Sequence, residues 1–501
     1  MSKSFTHQFD TPAYKGTATI ETGLFIDGKW VAPVEGGELE IVNPATGKLI
    51  TKVAAGSKAD VDIAVDAAKK AYKTSWGLHV PGKERGRILS KLADLIEANQ
   101  QELAALESLN VGKLYKYALG DIIGSTATFR YYAGWADKVH GKTIETDENK
   151  LAYTRHEPYG VCGGIIPWNF PFGMLSWKIA PALATGNVVV LKPSEITPLT
   201  ALKFAGLLNE AGIPPGVVNI VPGYGPTVGQ AISEHPLIAK VAFTGSTLVG
   251  RKVLEASSKT NLKVVTLELG GKSPNIIFDD ADLEQAVKWA SMGIFFNMGQ
   301  VCTAGSRIFV QEGIYPKFIE AFTAAAKQVG SAIGDPFGSN TSHGPQVSKT
   351  QFDRVMGYIE SGKKAGANVL VGGEKFGDDG FFIQPTVFSE CKSDMAIVKE
   401  EIFGPVAAII KFKDESEVIE MANDTVYGLA CAVFTENVGR AIRVAHALEA
   451  GMAWVNCYNS VDTNVPFGGY KQSGIGRELG EYALETYTQV KSVHINIGTR
   501  L

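Results

Sequence analysis

Two side chains could do chemistry because of what surrounds them. Glu268 is the lone carboxylate of the apolar run Thr266-Leu267-Glu268-Leu269, which ends at Gly270-Gly271. Such a group must find a partner or hold a raised pKa. Strand alternation puts it on one face with Thr266 and Val264, and the glycines place it at the strand's carboxyl end, where ligands bind in α/β sheets. Cys302 lies in Gly299-Gln300-Val301-Cys302-Thr303-Ala304, where small and polar neighbours beside a glycine turn leave a thiol within reach of a substrate. A nucleophile and a base are the two parts needed to make and then hydrolyse a thioester. Taken alone, a free cysteine is more often buried and inert. A thiol of pKa ~8.5 is only a few per cent ionised at neutral pH, so amide donors or a cation are expected beside it. Asn169 sits between Pro167 and Pro171. Two prolines fix the backbone there, and a rigid neutral amide suits a developing oxyanion. A turn asparagine is the plainer alternative.

Signals for a dinucleotide are less standard, since no Gly-x-Gly-x-x-Gly is present. Phe243-Thr244-Gly245-Ser246-Thr247-Leu248-Val249-Gly250 follows a strand and opens a helix, whose first amides and serine hydroxyl could hold a phosphate. Gly225 and Gly229 belong to another glycine turn after a strand. Lys192 and Glu195 follow a third. Glu195 could accept two ribose hydroxyls and would repel a 2′-phosphate, which favours NAD over NADP. Glu401 and Phe403, before Gly404-Pro405, offer a ribose partner and a nicotinamide packing surface; the ordinary reading is a loop.

These groups need elements to position them. From Gly160, short β-rich runs at 161–166, 187–191, 218–221 and 241–244 alternate with helical stretches at 172–183, 201–210 and 227–233, which argues for a doubly wound parallel sheet. A second alternation follows, with strands near 306–310, 368–372, 407–412, 430–434 and 452–455. The expected class is α/β, with two doubly wound parallel-sheet domains. Amphipathic helices near 81–97, 100–109 and 121–139 precede the first alternation, and a helix is expected over 279–297. The tail from Thr486 to Ile497 alternates like a strand with no partner close in sequence; it either joins another subunit or closes its own sheet.

Composition narrows the class. At 501 residues the chain is too long for one core. Hydrophobic residues make up 45%, charged residues 20%, and the net charge is −4, with no basic run to suggest nucleic acid. No apolar run approaches ~18 residues, so no membrane span is expected. The start lacks the apolar core of a secretion signal and the Arg-rich pattern of a transit peptide. Five scattered cysteines argue for a reducing, cytoplasmic compartment, and no Cys/His spacing suggests a metal.

The chain resembles the aldehyde dehydrogenase superfamily, specifically its tetrameric NAD-dependent group, over essentially its whole length. The resemblance rests on motifs in order: Pro167-Trp168-Asn169-Phe170-Pro171, Lys192-Pro193-Ser194-Glu195, Phe243-Thr244-Gly245-Ser246, Leu267-Glu268-Leu269-Gly270-Gly271, Gly299-Gln300-Val301-Cys302, Glu401-Ile402-Phe403-Gly404-Pro405 and Pro466-Phe467-Gly468-Gly469. It implies oxidation of an aldehyde to a carboxylic acid through a cysteine thioester. Cys302 would be the nucleophile, Asn169 with the Cys302 amide the oxyanion hole, and Glu268 the base that activates water. It implies NAD binding by Ile166, Pro167, Trp168, Lys192, Glu195, Gly225, Gly229, Phe243, Thr244, Gly245, Ser246, Val249, Leu269, Gln351, Glu401 and Phe403. The substrate tunnel would be lined by Phe170, Met174, Trp177, Phe296, Val301, Thr303, Val461 and Phe467. Val461 and Asn459 depart from some acetaldehyde-type members and suggest a roomier mouth. The resemblance further implies a cofactor domain (1–139 and 159–270), a catalytic domain (271–484), and a β arm (140–158 and 485–501) that builds a homotetramer. A semialdehyde substrate would need a cation in the tunnel, and none of those lining positions supplies one. A protein that binds the cofactor without turnover is the remaining alternative; intact Cys302, Glu268 and Asn169 count against it.

Overall fold

The computed structural model describes residues 3–501; Met1 and Ser2, in the start read above for a secretion or transit signal, lie outside them. Two large sheets organise the chain. The first has eight strands, and its centre is parallel: Val161–Ile165 pairs with Val188–Lys192 on one side and Lys240–Thr244 on the other. Val264–Glu268 continues it in parallel. These central strands are buried on both faces and rich in Val, Ile and Leu, as helices on both sides of a parallel sheet require. The edges are antiparallel, formed by Leu24–Ile26 with Lys29–Val31 at one end and Gly474–Ile475 at the other. The sheet is therefore mixed rather than wholly parallel.

The second sheet has seven strands. Pro274–Ile277 and Arg307–Gln311 lie at its centre, with Val406–Phe412 and Ala430–Phe434 flanking them in parallel. Its one antiparallel pairing joins Asn368–Val371 to Thr386–Ser389. Pro274–Ile277 and Thr386–Ser389 were not expected; four buried residues are too few to show a period. An N-terminal hairpin, Ser4–Asp10 with Lys15–Glu21, was also unanticipated.

Three helices start or stop elsewhere than the pattern suggests. The helix expected at 121–139 runs Tyr115–Trp135. Its buried stripe, Ala118, Ile122, Ser125, Phe129 and Tyr132, begins upstream of Asp121. The helix expected from Asp279 begins at Leu283, where the Asp282 carboxylate accepts from the Gln285 amide at 3.1 Å, and it breaks into a tight turn at Phe296–Gly299. The stretch expected as a helix over 227–233 is a π turn, Gly225–Gly229, followed by Gln230–Glu234.

The terminal strand finds its partner within the chain. Thr488–Asn496 pairs antiparallel with Lys150–Pro158 along its whole length, in a three-stranded sheet closed by Thr143–Ile144. Its other edge carries exposed Val490 and, just beyond, Ile497. Among the described residues, no helix is long and apolar enough to cross a membrane, and all five cysteines are free.

Candidate active site

The carboxyl ends of the first sheet open on a cavity of about 400 Å³. Glu268 closes the strand Val264–Glu268 there, and its neighbour Thr244 closes Lys240–Thr244 in register with it. The second sheet delivers Cys302 from the opposite side, on the segment between the tight turn Phe296–Gly299 and the strand Arg307–Gln311.

That turn is strained. Asn297, Met298 and Gly299 have consecutive φ values of 45°, 56° and 71°. At Gly299 a Cβ would sit 2.0 Å from the Gly404 carbonyl, so only glycine fits. Gly271 is held as closely: a Cβ there would lie 2.4 Å from the Cys302 carbonyl oxygen. The glycines that end the Glu268 strand thus let the two sheets approach, and strain gathers beside the thiol.

Cys302 and Glu268 line the same cavity. Burial and the nearby Glu478 charge hold the Glu268 pKa well above the carboxylate range. Burial and the Glu268 charge likewise push the Cys302 thiol up. Of the amide donors or cation expected beside the thiol, the structure supplies an amide: the Thr303 N–H favours the thiolate without outweighing burial. One Glu268 carboxyl oxygen is buried with no hydrogen-bond partner. A lone oxygen of this kind is free to accept a proton from water.

Asn169 is buried, and its side-chain amide donates to the Gln300 carbonyl at 3.0 Å. The Asn297 amide in turn donates to the Asn169 carbonyl at 3.2 Å. One Asn169 amide hydrogen is therefore committed and the other is free, on the cavity wall.

Pro167, Trp168, Thr244, Gly245, Ser246, Leu269, Gln351, Glu401 and Phe403 line this cavity. Trp168 and Phe403 meet edge to face at 5.1 Å. The Glu401 carboxylate accepts from the Gly271 amide at 3.1 Å, and burial pushes its pKa up to about 7. The Gln351 amide donates to the Phe403 carbonyl at 2.7 Å. Ser246 caps the helix Thr247–Lys259, weakly, by accepting from the Val249 amide at 3.4 Å. Phe243 is buried against Gly245, and Val249 is exposed on the capped helix.

Ile166, Lys192, Glu195, Gly225 and Gly229 are grouped beside the cavity rather than on its wall. The Ile166 amide donates to the Lys192 carbonyl at 3.1 Å, and Lys192 donates to Glu195 at 3.0 Å. Gly229 leaves room for the Lys192 stem. Burial works against the Glu195 charge, but Lys192 and the Gly225 amide outweigh it and lower the pKa. The donor set suits a dinucleotide: an ionised carboxylate for ribose, a helix N-terminus for phosphate, a second carboxylate at Glu401, and paired aromatic rings.

Phe170, Met174, Trp177, Phe296, Val301, Thr303, Val461 and Phe467 also face the cavity. Trp177 packs on Phe467 at 4.9 Å, and Phe170 lies 6.1 Å from Phe296. The Thr303 hydroxyl donates to Asn459 at 2.7 Å.

Sequence reasoning missed one wall. The helix Tyr115–Trp135 turns Gly120, Asp121, Gly124, Ser125 and Thr128 to the cavity. The spacing of 120, 124 and 128 was the available signal, hidden by starting the helix at 121. It also missed Lys178, whose ammonium donates to the Thr244 hydroxyl at 2.6 Å and pairs with Glu478.

The comparisons agree along the chain. The model of the aldehyde dehydrogenase family matches residues 30–493. An aldehyde dehydrogenase of Agaricus bisporus is 61% identical over the full length of both chains. The human retinaldehyde dehydrogenase 3 is 54% identical, covering 96% of this chain and 94% of that one. The NAD+ complex of the Bacillus cereus aldehyde dehydrogenase superposes with a TM-score of 0.94 at 50% identity, covering 95% of this chain and 97% of the other. The chain belongs to the aldehyde dehydrogenase family, and it is an NAD-dependent oxidoreductase acting on aldehydes.

Proposed function

We propose that Cys302 is the nucleophile, Glu268 the base and Asn169 the oxyanion donor. The observation that carries this reading is the convergence of Cys302, Glu268 and Asn169 on the wall of one cavity, where one buried Glu268 oxygen has no hydrogen-bond partner. With its pKa raised, the resting thiol keeps its proton. Loss of that proton to solvent frees the sulfur to bond the aldehyde carbon. The new oxyanion is held by the free hydrogen of Asn169 and the Cys302 amide. Bound NAD supplies the hydride acceptor; Lys192, Glu195, the Ser246-capped helix, Glu401 and the other cofactor residues named above would hold it. Oxidation leaves a thioester on Cys302. Glu268, ionised, takes a proton from water; the oxygen bonds the acyl carbon, the C–S bond breaks, the sulfur regains a proton, and the acid departs.

For the substrate we infer aliphatic and aryl-acetic aldehydes, supported by the aromatic wall of Phe170, Trp177, Phe296 and Phe467. The wide mouth at Gly120, Gly124 and Val461 supports bulky members of this class, and the human relative named for retinaldehyde fits that reading. We also infer a cofactor unit of 1–139 and 159–270, a catalytic unit of 271–484, and an arm of 140–158 with 485–501 that assembles a cytoplasmic homotetramer.

Glu268→Gln tests the base. Stopped-flow mixing with NAD and aldehyde should give a burst of NADH and then turnover lowered ~10²–10⁴-fold. Unchanged steady turnover would remove Glu268 from the mechanism.

A further inference from the structure

Behind the Phe170 wall lies a buried charge cluster that the reaction does not use. The helix Gln100–Val111 ends at Gly112, with φ +80°, and the chain turns Lys113 inward. The Lys113 side chain has no exposure and pairs with Asp121. Its ammonium lies 3.7 Å from the centre of the Phe170 ring. One turn back on the same helix, Glu107 is fully buried. It accepts from the Phe172 amide at 3.3 Å and from the Thr200 hydroxyl at 2.8 Å. Lys113 and Glu107 therefore hold Phe170 and Phe172, either side of Pro171 and directly after Asn169.

A desolvated ammonium over a ring face is held by the ring's quadrupole, and the attraction is strongest where water is excluded. Phe170 has no comparable anchor elsewhere: its other aromatic neighbour, Phe296, is tilted at 6.1 Å and is itself propped by Tyr117 at 4.9 Å. Asp121 fixes the ammonium from the cavity side.

We propose that Lys113 is a positioning and specificity-determining residue, which, clamped by Asp121, pins the Phe170 ring as the flat wall against which an aromatic aldehyde lies. This rests on the reading of Phe170 as a substrate contact. A ring-bearing substrate needs that wall fixed; a short aliphatic one does not.

The test compares kcat/KM for phenylacetaldehyde and propanal. Lys113→Met with Asp121→Asn removes both charges together, so neither is left buried alone. It should raise KM for phenylacetaldehyde about ten-fold relative to KM for propanal. Lys113→Arg, which keeps a cation over the ring, should preserve the wild-type ratio within about two-fold. Adding the neutral pair to Phe170→Leu should change the ratio no further. An equal loss for both aldehydes, or the same additional factor in the Phe170→Leu background, overturns the proposal. Should the neutral pair not fold, Lys113→Gln alone reads the same ratio, and an unchanged ratio overturns it. Failure of the underlying reading shows separately: Phe170→Leu alone would then leave the ratio at its wild-type value.

Discussion

Asn169 is held by two bonds that have nothing to do with a ligand, its own amide on Gln300 and the Asn297 amide on its carbonyl. This preorganisation is what gives an oxyanion donor its value, because nothing must reorient as charge develops. Asn169→Ala should lower kcat by ~10²–10³ with aldehyde KM changed far less, measured by steady-state kinetics. A loss confined to KM would assign Asn169 to binding instead. Asn169, Cys302 and Glu268 were legible because an amide between prolines, a thiol by a glycine turn and a carboxylate in an apolar strand are each locally anomalous. The state of the thiol was not legible. Local sequence shows neither its burial nor the charge of Glu268, 34 positions upstream, and both raise the thiol pKa.

Elements carry the site, and the helix Tyr115–Trp135 carries the wall least visible beforehand. Its apolar stripe showed a helix, but the cavity lies off that stripe, where glycines leave no hydrophobic trace. A Cβ added at Gly120 or Gly124 meets nothing within 4 Å. Gly124→Ala should therefore stabilise the helix by about 0.5–1 kcal/mol, seen as a higher denaturation midpoint. Gly124→Leu should fill the mouth and lower kcat/KM for bulky aldehydes by roughly 10–200-fold while sparing acetaldehyde. An equal effect on both would place Gly124 away from the substrate path. The alternating strands of the first sheet were legible for the opposite reason: buried on both faces, they are short runs dominated by apolar residues. The four-residue strands Pro274–Ile277 and Thr386–Ser389 are set by pairing across the second sheet, which no local pattern encodes.

At the scale of the whole molecule, the two large sheets are brought together through Gly271, and the three-stranded sheet offers an open edge. Charges set on that edge by Val490→Glu with Ile497→Glu should break up the proposed tetramer in analytical ultracentrifugation; an unchanged mass would move the interface elsewhere. Acid should weaken the fold at His343, whose pKa burial lowers from 6.5 to about 4. The folded state binds fewer protons there than the unfolded one, so this stability is present above pH 6.5 and is lost as pH falls towards 4. The loss amounts to up to about 3 kcal/mol. Denaturant midpoints of wild type and His343→Gln should converge over that window, and parallel curves would remove His343 as the cause. The central claim is a covalent bond between one sulfur and the substrate carbon. Acid-quenched Glu268→Gln, after one turnover with NAD and phenylacetaldehyde, should yield a Cys302 peptide heavier by the arylacetyl group in mass spectrometry. A full burst of NADH with the Cys302 peptide unmodified would contradict the account.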